Sequence, residues 1–149
     1  MSVSKALARL LQVRALEEEQ RRASLESALG ELAELKRARE AAGETERQGR
    51  ALVGASAGSG NIVDRRAGLV EMEAARRRAR RLAPRIADSQ LEAGRRRQEF
   101  LDKRVERRQA GTLIEKAEAR EEMETDRRNQ RAIDDWFGAR RHGSPGEPR

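Results

Sequence analysis

The chain has 149 residues, of which 40% are charged and only 2% aromatic, and it contains no cysteine. A compact globular core of this length would carry more aromatic and β-branched residues, whereas the Ala, Glu, Arg and Leu that dominate here are typical of long helices and coiled coils. The lack of cysteine excludes a disulfide framework and a cysteine metal site, and no apolar run reaches the roughly 18 residues of a membrane span. Composition therefore predicts a cytoplasmic, extended, helical protein without a secretory signal.

The first predicted element is a helix over residues 3–52. Leucine and alanine recur within it at intervals of seven, which is the a/d pattern of a coiled-coil seam. The next stretch, GASAGSGN at residues 54–61, consists of small residues and lacks strong helix formers. It predicts a loop.

The second predicted element is a helix over residues 62–137, followed by a disordered tail at 138–149. Pro84 lies inside this helix, where a proline removes a hydrogen bond and costs about 3 kcal/mol. Pro84 either kinks one helix or separates two helices, and the second case would permit a three-helix bundle. The heptad series passes through Pro84 in phase, which favours the kink.

Folding the chain at the predicted loop gives an all-α fold, an antiparallel two-helix coiled-coil hairpin. With Ala28 opposite Ile86, the numbers of facing residues add to 114, which centres the turn on residue 57. The second helix is longer than the first, so residues 112–137 are predicted to overhang. The predicted hairpin seam consists of Leu25, Ala28, Leu32, Leu35, Ala42, Met72, Ala79, Leu82 and Ile86.

Charge is distributed unevenly along the second helix. Residues 76–108 contain thirteen Lys/Arg and five Asp/Glu, whereas residues 109–137 contain five and eight. These blocks indicate partner surfaces of different sign, or else solvated helix faces. The candidate charged partner surface consists of Arg76, Arg77, Arg80, Arg81, Arg95, Arg96 and Arg97.

Two of the three aromatic residues of the chain, Trp136 and Phe137, lie side by side near the C-terminus. Tryptophan is enriched at binding hot spots, and an unpaired helix with apolar anchors is typical of an interaction element. The alternatives are that this segment frays or folds back onto the hairpin.

Catalytic chemistry finds no support in the sequence. His142, the only histidine, lies among glycines and prolines, and SAGSGN lacks the pattern of a phosphate-binding loop. Paired glutamates such as Glu121 and Glu122 are typical of solvated helix charges. We predict a non-enzyme without cofactor or metal.

The C-terminal ending resembles that of the FliJ family of flagellar export proteins, which is related to the YscO family of injectisomes. The resemblance also covers the small-residue turn and the N-terminal LARLLQVRALEEEQ. The residues that match the ending R-x-x-Q-x-x-x-D-[DE]-aromatic are Arg127, Gln130, Asp134, Asp135 and Trp136, with Phe137 after them.

This resemblance implies a two-helix stalk that inserts into the hexameric export ATPase and promotes its assembly. It further implies contact with the export-gate membrane protein and with export chaperones. Candidate contacts to the ATPase ring are Gln130, Ile133, Asp134, Asp135, Trp136 and Phe137.

The rival hypothesis is a helical nucleic-acid binder that uses the arginines of residues 76–108. No aromatic residues alternate with those arginines to stack on bases, so no specific nucleic acid is expected. A third hypothesis is a scaffold coiled coil.

Overall fold

The computed structural model describes the backbone of residues 2–143 and the side chains of residues 5–143. Helix α1 spans Ser2–Ser59 and helix α2 spans Ile62–His142. The two helices pack against each other, and the described residues contain no strand. The predicted all-α helical hairpin is confirmed.

Both helices extend beyond their predicted ends. Helix α1 continues through most of the predicted loop at 54–61, so that only Gly60 and Asn61 connect the helices. Helix α2 passes residue 137 and ends at His142, so the first residues of the predicted tail are helical. Residues 144–149 of that tail lie outside the described part of the chain.

The short turn is built from two capping interactions. Gly60 adopts a positive φ of 67°, a conformation that favours glycine after a helix, and its N–H donates to the carbonyl of Ser56 at 2.9 Å. Asn61 Oδ1 accepts hydrogen bonds from the backbone N–H groups of Val63 and Asp64, at 3.1 and 3.3 Å. Asn61 therefore caps the start of α2.

Close packing explains why the small residues before this turn are helical. Ser56 is only 4% exposed, and its hydroxyl donates to the carbonyl of Val53 at 2.8 Å. A Cβ atom added to Gly49 would lie 2.8 Å from the carbonyl oxygen of Gly68, so the two backbones approach closely here. Packing between helices overrides weak helix propensity, which is why the predicted loop was too long.

The first of two compact units comprises Glu17–Lys103 and includes the turn. Arg21 Nη1 lies 3.0 Å from Glu99 Oε2, a pair whose residue numbers add to 120. The position of a Cβ on Gly49 is 2.8 Å from Met72 Cγ, and these numbers add to 121. The helices are therefore antiparallel, and the predicted register of 114 is wrong by about one heptad.

The short turn is the cause of the register error. The connection is centred between residues 60 and 61, not on residue 57. A shift of one heptad leaves the inward face of each helix unchanged, because the seam repeats every seven residues. All nine predicted seam residues are accordingly buried or half-buried, with Ala28 at 2% and Ile86 at 3% exposure.

Paired cysteines provide a test of this register. With numbers that add to 121, Leu35 faces Ile86, so cysteines at these two positions are expected to form an intramolecular disulfide on mild oxidation. Cysteines at Leu35 and Ala79 are one heptad apart in register, about 10 Å, which exceeds the Cα separation of roughly 7 Å that a disulfide tolerates. Non-reducing electrophoresis measures both products, and equal crosslinking of the two pairs would contradict the register.

Pro84 lies within α2, which is a single helix from Ile62 to His142. The alternative in which Pro84 separates two helices is therefore wrong for the described residues. Pro84 itself is exposed, so its ring occupies the solvent side of α2 and not the interface with α1.

The second unit comprises Met1–Leu16 together with Arg104–Arg149. Ala110 is buried at 3% exposure, and Leu7, Leu11 and Ile114 are half-buried. Helix α1 and helix α2 thus still pack on each other in this unit.

Beyond that packed part, α2 is exposed at every residue from 118 to 137. The sequence placed the start of the overhang at residue 112, but Ile114 and Ala117 are half-buried. The shift in register accounts for this difference, because it places α2 further along α1. We refer to residues 118–142 of α2 as the distal segment.

Candidate functional site

The distal segment carries an exposed aromatic pair. Trp136 and Phe137 are 54% and 57% exposed. Their ring centroids lie 5.0 Å apart with an interplanar angle of 77°, an edge-to-face arrangement. The guanidinium carbon of Arg140 lies 4.7 Å from the Trp136 ring centroid. The two rings and the cation therefore form one small cluster on the helix surface.

Polar side chains precede this cluster. Gln130 Nε2 donates to Asp134 Oδ1 at 3.0 Å, one helical turn apart. Ile133 is 49% exposed, and Asp135 is exposed as well. All six candidate contacts to the ATPase ring thus lie on an exposed stretch of helix. Within this stretch Trp136 contacts Phe137, and Gln130 is hydrogen-bonded to Asp134.

Sequence reasoning did not identify Arg140. Its signal was present, because residues four apart on a helix are neighbours and an arginine over a tryptophan ring makes a favourable cation–π contact. The contact favours one orientation of the Trp136 ring.

Several arginines of the candidate charged surface are engaged within the chain. Arg76 Nε lies 2.9 Å from Glu46 Oε1 and joins the two helices. Its hydrogen bond lowers the pKa of the Glu46 carboxyl below the ordinary value of 4.5. Because the folded pKa is the lower one, this pair contributes to stability above pH 4.5 and loses that contribution as pH falls through the lowered pKa.

Three further arginines of this surface are also paired. Arg77 contacts Glu73, Arg95 and Arg96 contact Glu92, and Arg96 Nη1 also donates to the carbonyl of Ser24 at 3.1 Å. Within the described residues, the candidates that are exposed and make no ion pair are Arg80, Arg81 and Arg97. The sequence-predicted surface is therefore divided between intrachain pairs and available cations.

The described residues offer no group of His, Asp and Glu that could hold a metal ion. Among them, too, no helix combines the length and the apolar character needed to cross a bilayer. The candidate site is a helix surface of exposed aromatic rings and charged side chains.

Comparison with known proteins assigns the chain to a family. A family model described as the flagellar FliJ protein matches residues 4–147, nearly the whole chain. The chain belongs to the FliJ family. This membership confirms the resemblance drawn from the C-terminal ending and the turn. No curated protein and no solved structure matches the chain.

Membership in the FliJ family implies a component of the flagellar export apparatus, and the family is one of non-catalytic, cytoplasmic export components. The match extends through the distal segment, so the exposed aromatic cluster belongs to the family region of the chain.

Proposed function

We propose that this FliJ-family chain acts as the central stalk of the export ATPase. In this role the distal segment enters the hexameric ring and promotes its assembly and activity. The hairpin also links the ring to the export-gate membrane protein and to export chaperones. It works at the cytoplasmic side of the membrane-embedded apparatus, associated peripherally.

The exposed aromatic pair is the observation that carries this proposal. Trp136 and Phe137 are more than half exposed, in the stretch of α2 from 118 to 137 where every residue is exposed. Burying large aromatic side chains contributes strongly to protein interfaces. A solvent-facing aromatic pair of this kind on an otherwise charged helix is best explained by a partner that buries it.

A stalk in a ring needs contacts that hold it without locking it. A broad apolar face would bind too rigidly, whereas two aromatic anchors in charged surroundings give a small dry centre with a polar rim. Gln130, Asp134 and Asp135 supply such a rim, and Ile133 extends the anchor face.

The best candidates for contact with the export-gate protein or with a chaperone are Arg80, Arg81 and Arg97, because these exposed cations make no ion pair among the described residues.

Nucleic-acid binding through the same stretch is less favoured. Arg76 and Arg96 are engaged within the chain, and the neighbouring carboxylates would repel phosphate.

The direct test mixes the purified chain with its cognate export ATPase and measures hexamer formation and ATP hydrolysis. We expect both to rise with stalk concentration and to saturate near one chain per hexamer, because a ring has one bore. A parallel titration with a short DNA duplex should give weak binding at about 150 mM salt, and the affinity should fall further as the salt concentration is raised. No effect on the ATPase together with tight DNA binding would overturn the proposal in favour of its rival.

A further inference from the structure

The distal segment has a second face that differs chemically from the aromatic one. Counted along the sequence, residues 109–137 are acidic, with five Lys/Arg against eight Asp/Glu. On a helix with about 3.6 residues per turn, however, Arg120, Arg127 and Arg131 fall on one side, because they are separated by seven and four residues. We call these three residues the arginine stripe.

Three carboxylates occupy the opposite side of the same helix, whereas Glu124, Asp134 and Asp135 lie nearer the arginine stripe. Glu118, Glu122 and Asp126 follow one another at intervals of four, and the helical phase places them away from the arginine stripe. Trp136 comes nine residues after Arg127, about two and a half turns, and so also lies on that opposite side. The arginine stripe therefore lies on a different side of the helix from these three carboxylates and from Trp136.

The side chains of the arginine stripe are available for a partner. All three residues are exposed, and none makes an ion pair among the described residues. They line one open groove with Met123 and with Arg128, which is paired to Glu124 at 2.7 Å. Met123 is 58% exposed and adds an adaptable apolar contact to this face.

We propose that the arginine stripe docks against a carboxylate-rich wall of the export ATPase ring, on the side of the bore away from the aromatic contacts. Guanidinium groups pair with carboxylates in a bidentate geometry, and three of them in line fit acidic side chains spaced along a loop or helix. Glu124 also lies in the groove, but it is paired with Arg128 and leaves the three guanidinium groups of the stripe available. This inference rests on the proposed stalk function and adds the chemistry of the partner.

Two chemically different faces have a mechanical consequence for the stalk. A stalk with one uniform surface would contact all ring subunits alike. With Trp136 on one side and the arginine stripe on the other, the stalk presents different groups to the ring subunits that face those two sides.

The test compares charge reversal of the stripe with a matched reversal elsewhere. The variant Arg120→Glu/Arg127→Glu/Arg131→Glu is measured beside Lys36→Glu/Arg37→Glu/Arg39→Glu, which alters three exposed cations of α1 and changes net charge equally. At about 150 mM salt we expect the stripe variant to bind the purified cognate ATPase at least about tenfold more weakly, with a flattened salt dependence. The control should stay within about twofold of the unaltered chain.

Two further variants keep the outcome clear. Lysine at the three stripe positions preserves charge but not bidentate pairing, so this variant should bind more weakly than the unaltered chain and more tightly than the glutamate variant. Glutamine there should weaken binding in the same direction as glutamate while retaining circular-dichroism helicity. Equal binding by the stripe and control variants, or a lysine variant as weak as the glutamate one, would overturn this inference while leaving the stalk function intact. Failure of the unaltered chain to bind the ATPase would overturn both.

Discussion

Replacing Trp136 and Phe137 together by alanine is expected to remove most of the stimulation of the export ATPase while leaving the hairpin folded. Both residues are more than half exposed, in a stretch of α2 in which every residue from 118 to 137 is exposed. Their loss therefore removes little intrachain packing, and the thermal melting temperature should change by no more than a few degrees. An aromatic hot spot at a protein interface, by contrast, typically contributes 2 kcal/mol or more, that is, about thirtyfold or more in affinity.

A matched control is present in the same chain. Ile62 and Val63 form another adjacent apolar pair, 67% and 75% exposed, at the start of α2. Their double alanine variant should stimulate the ATPase as the unaltered chain does. Titrations of ATP hydrolysis and melting curves followed by circular dichroism measure both variants. A large fall in melting temperature with ATPase stimulation preserved would mean that the aromatic pair is structural, and the proposed anchor role would be wrong.

The second large effect is expected where the two helices approach most closely. A Cβ on Gly68 would lie 2.7 Å from the carbonyl oxygen of Gly49 and 2.8 Å from Val53 Cγ2. Backbone cannot yield as a flexible side chain does, so Gly68→Ala must push the helices apart. Overpacking of this kind costs about 1–3 kcal/mol, and the expected result is a clearly lower midpoint of thermal or urea unfolding.

Gly30→Ala is the control for this prediction. A Cβ on Gly30 meets nothing within 4 Å, and alanine favours a helix interior by about 1 kcal/mol relative to glycine. The two glycine-to-alanine changes should thus shift the unfolding midpoint in opposite directions. A Gly68→Ala variant as stable as Gly30→Ala would contradict the close approach.

The inward faces of both helices could be read from the sequence, but their alignment could not. Heptad spacing placed Ala28 and Ile86 on buried faces because burial follows the repeat of each helix separately. Alignment depends on where α1 ends, and Ser56 belongs to packed helix although the small residues around it indicate a loop. Contact between helices decides such segments, and a single sequence does not reveal it.

The candidate site divides in a similar way. Trp136 and Phe137 were identifiable because aromatic residues are so scarce in this chain. The contact of Arg140 with Trp136 and the arginine stripe were missed, since both depend on helical phase and not on composition. A count of charges over residues 109–137 reports an acidic block, whereas helical phase brings Arg120, Arg127 and Arg131 together on one side.

The turn of two residues limits how the length of this hairpin can vary. With Gly60 and Asn61 as the only connection, one residue inserted into either helix beside this turn would rotate the inward face of that helix by about 100° relative to the other helix. Seven added residues, in contrast, would return leucine and alanine to the seam. Insertions into the helices beside this turn should therefore preserve the seam only as whole heptads. Seven residues inserted into one helix should require seven in the other to keep the two helices aligned.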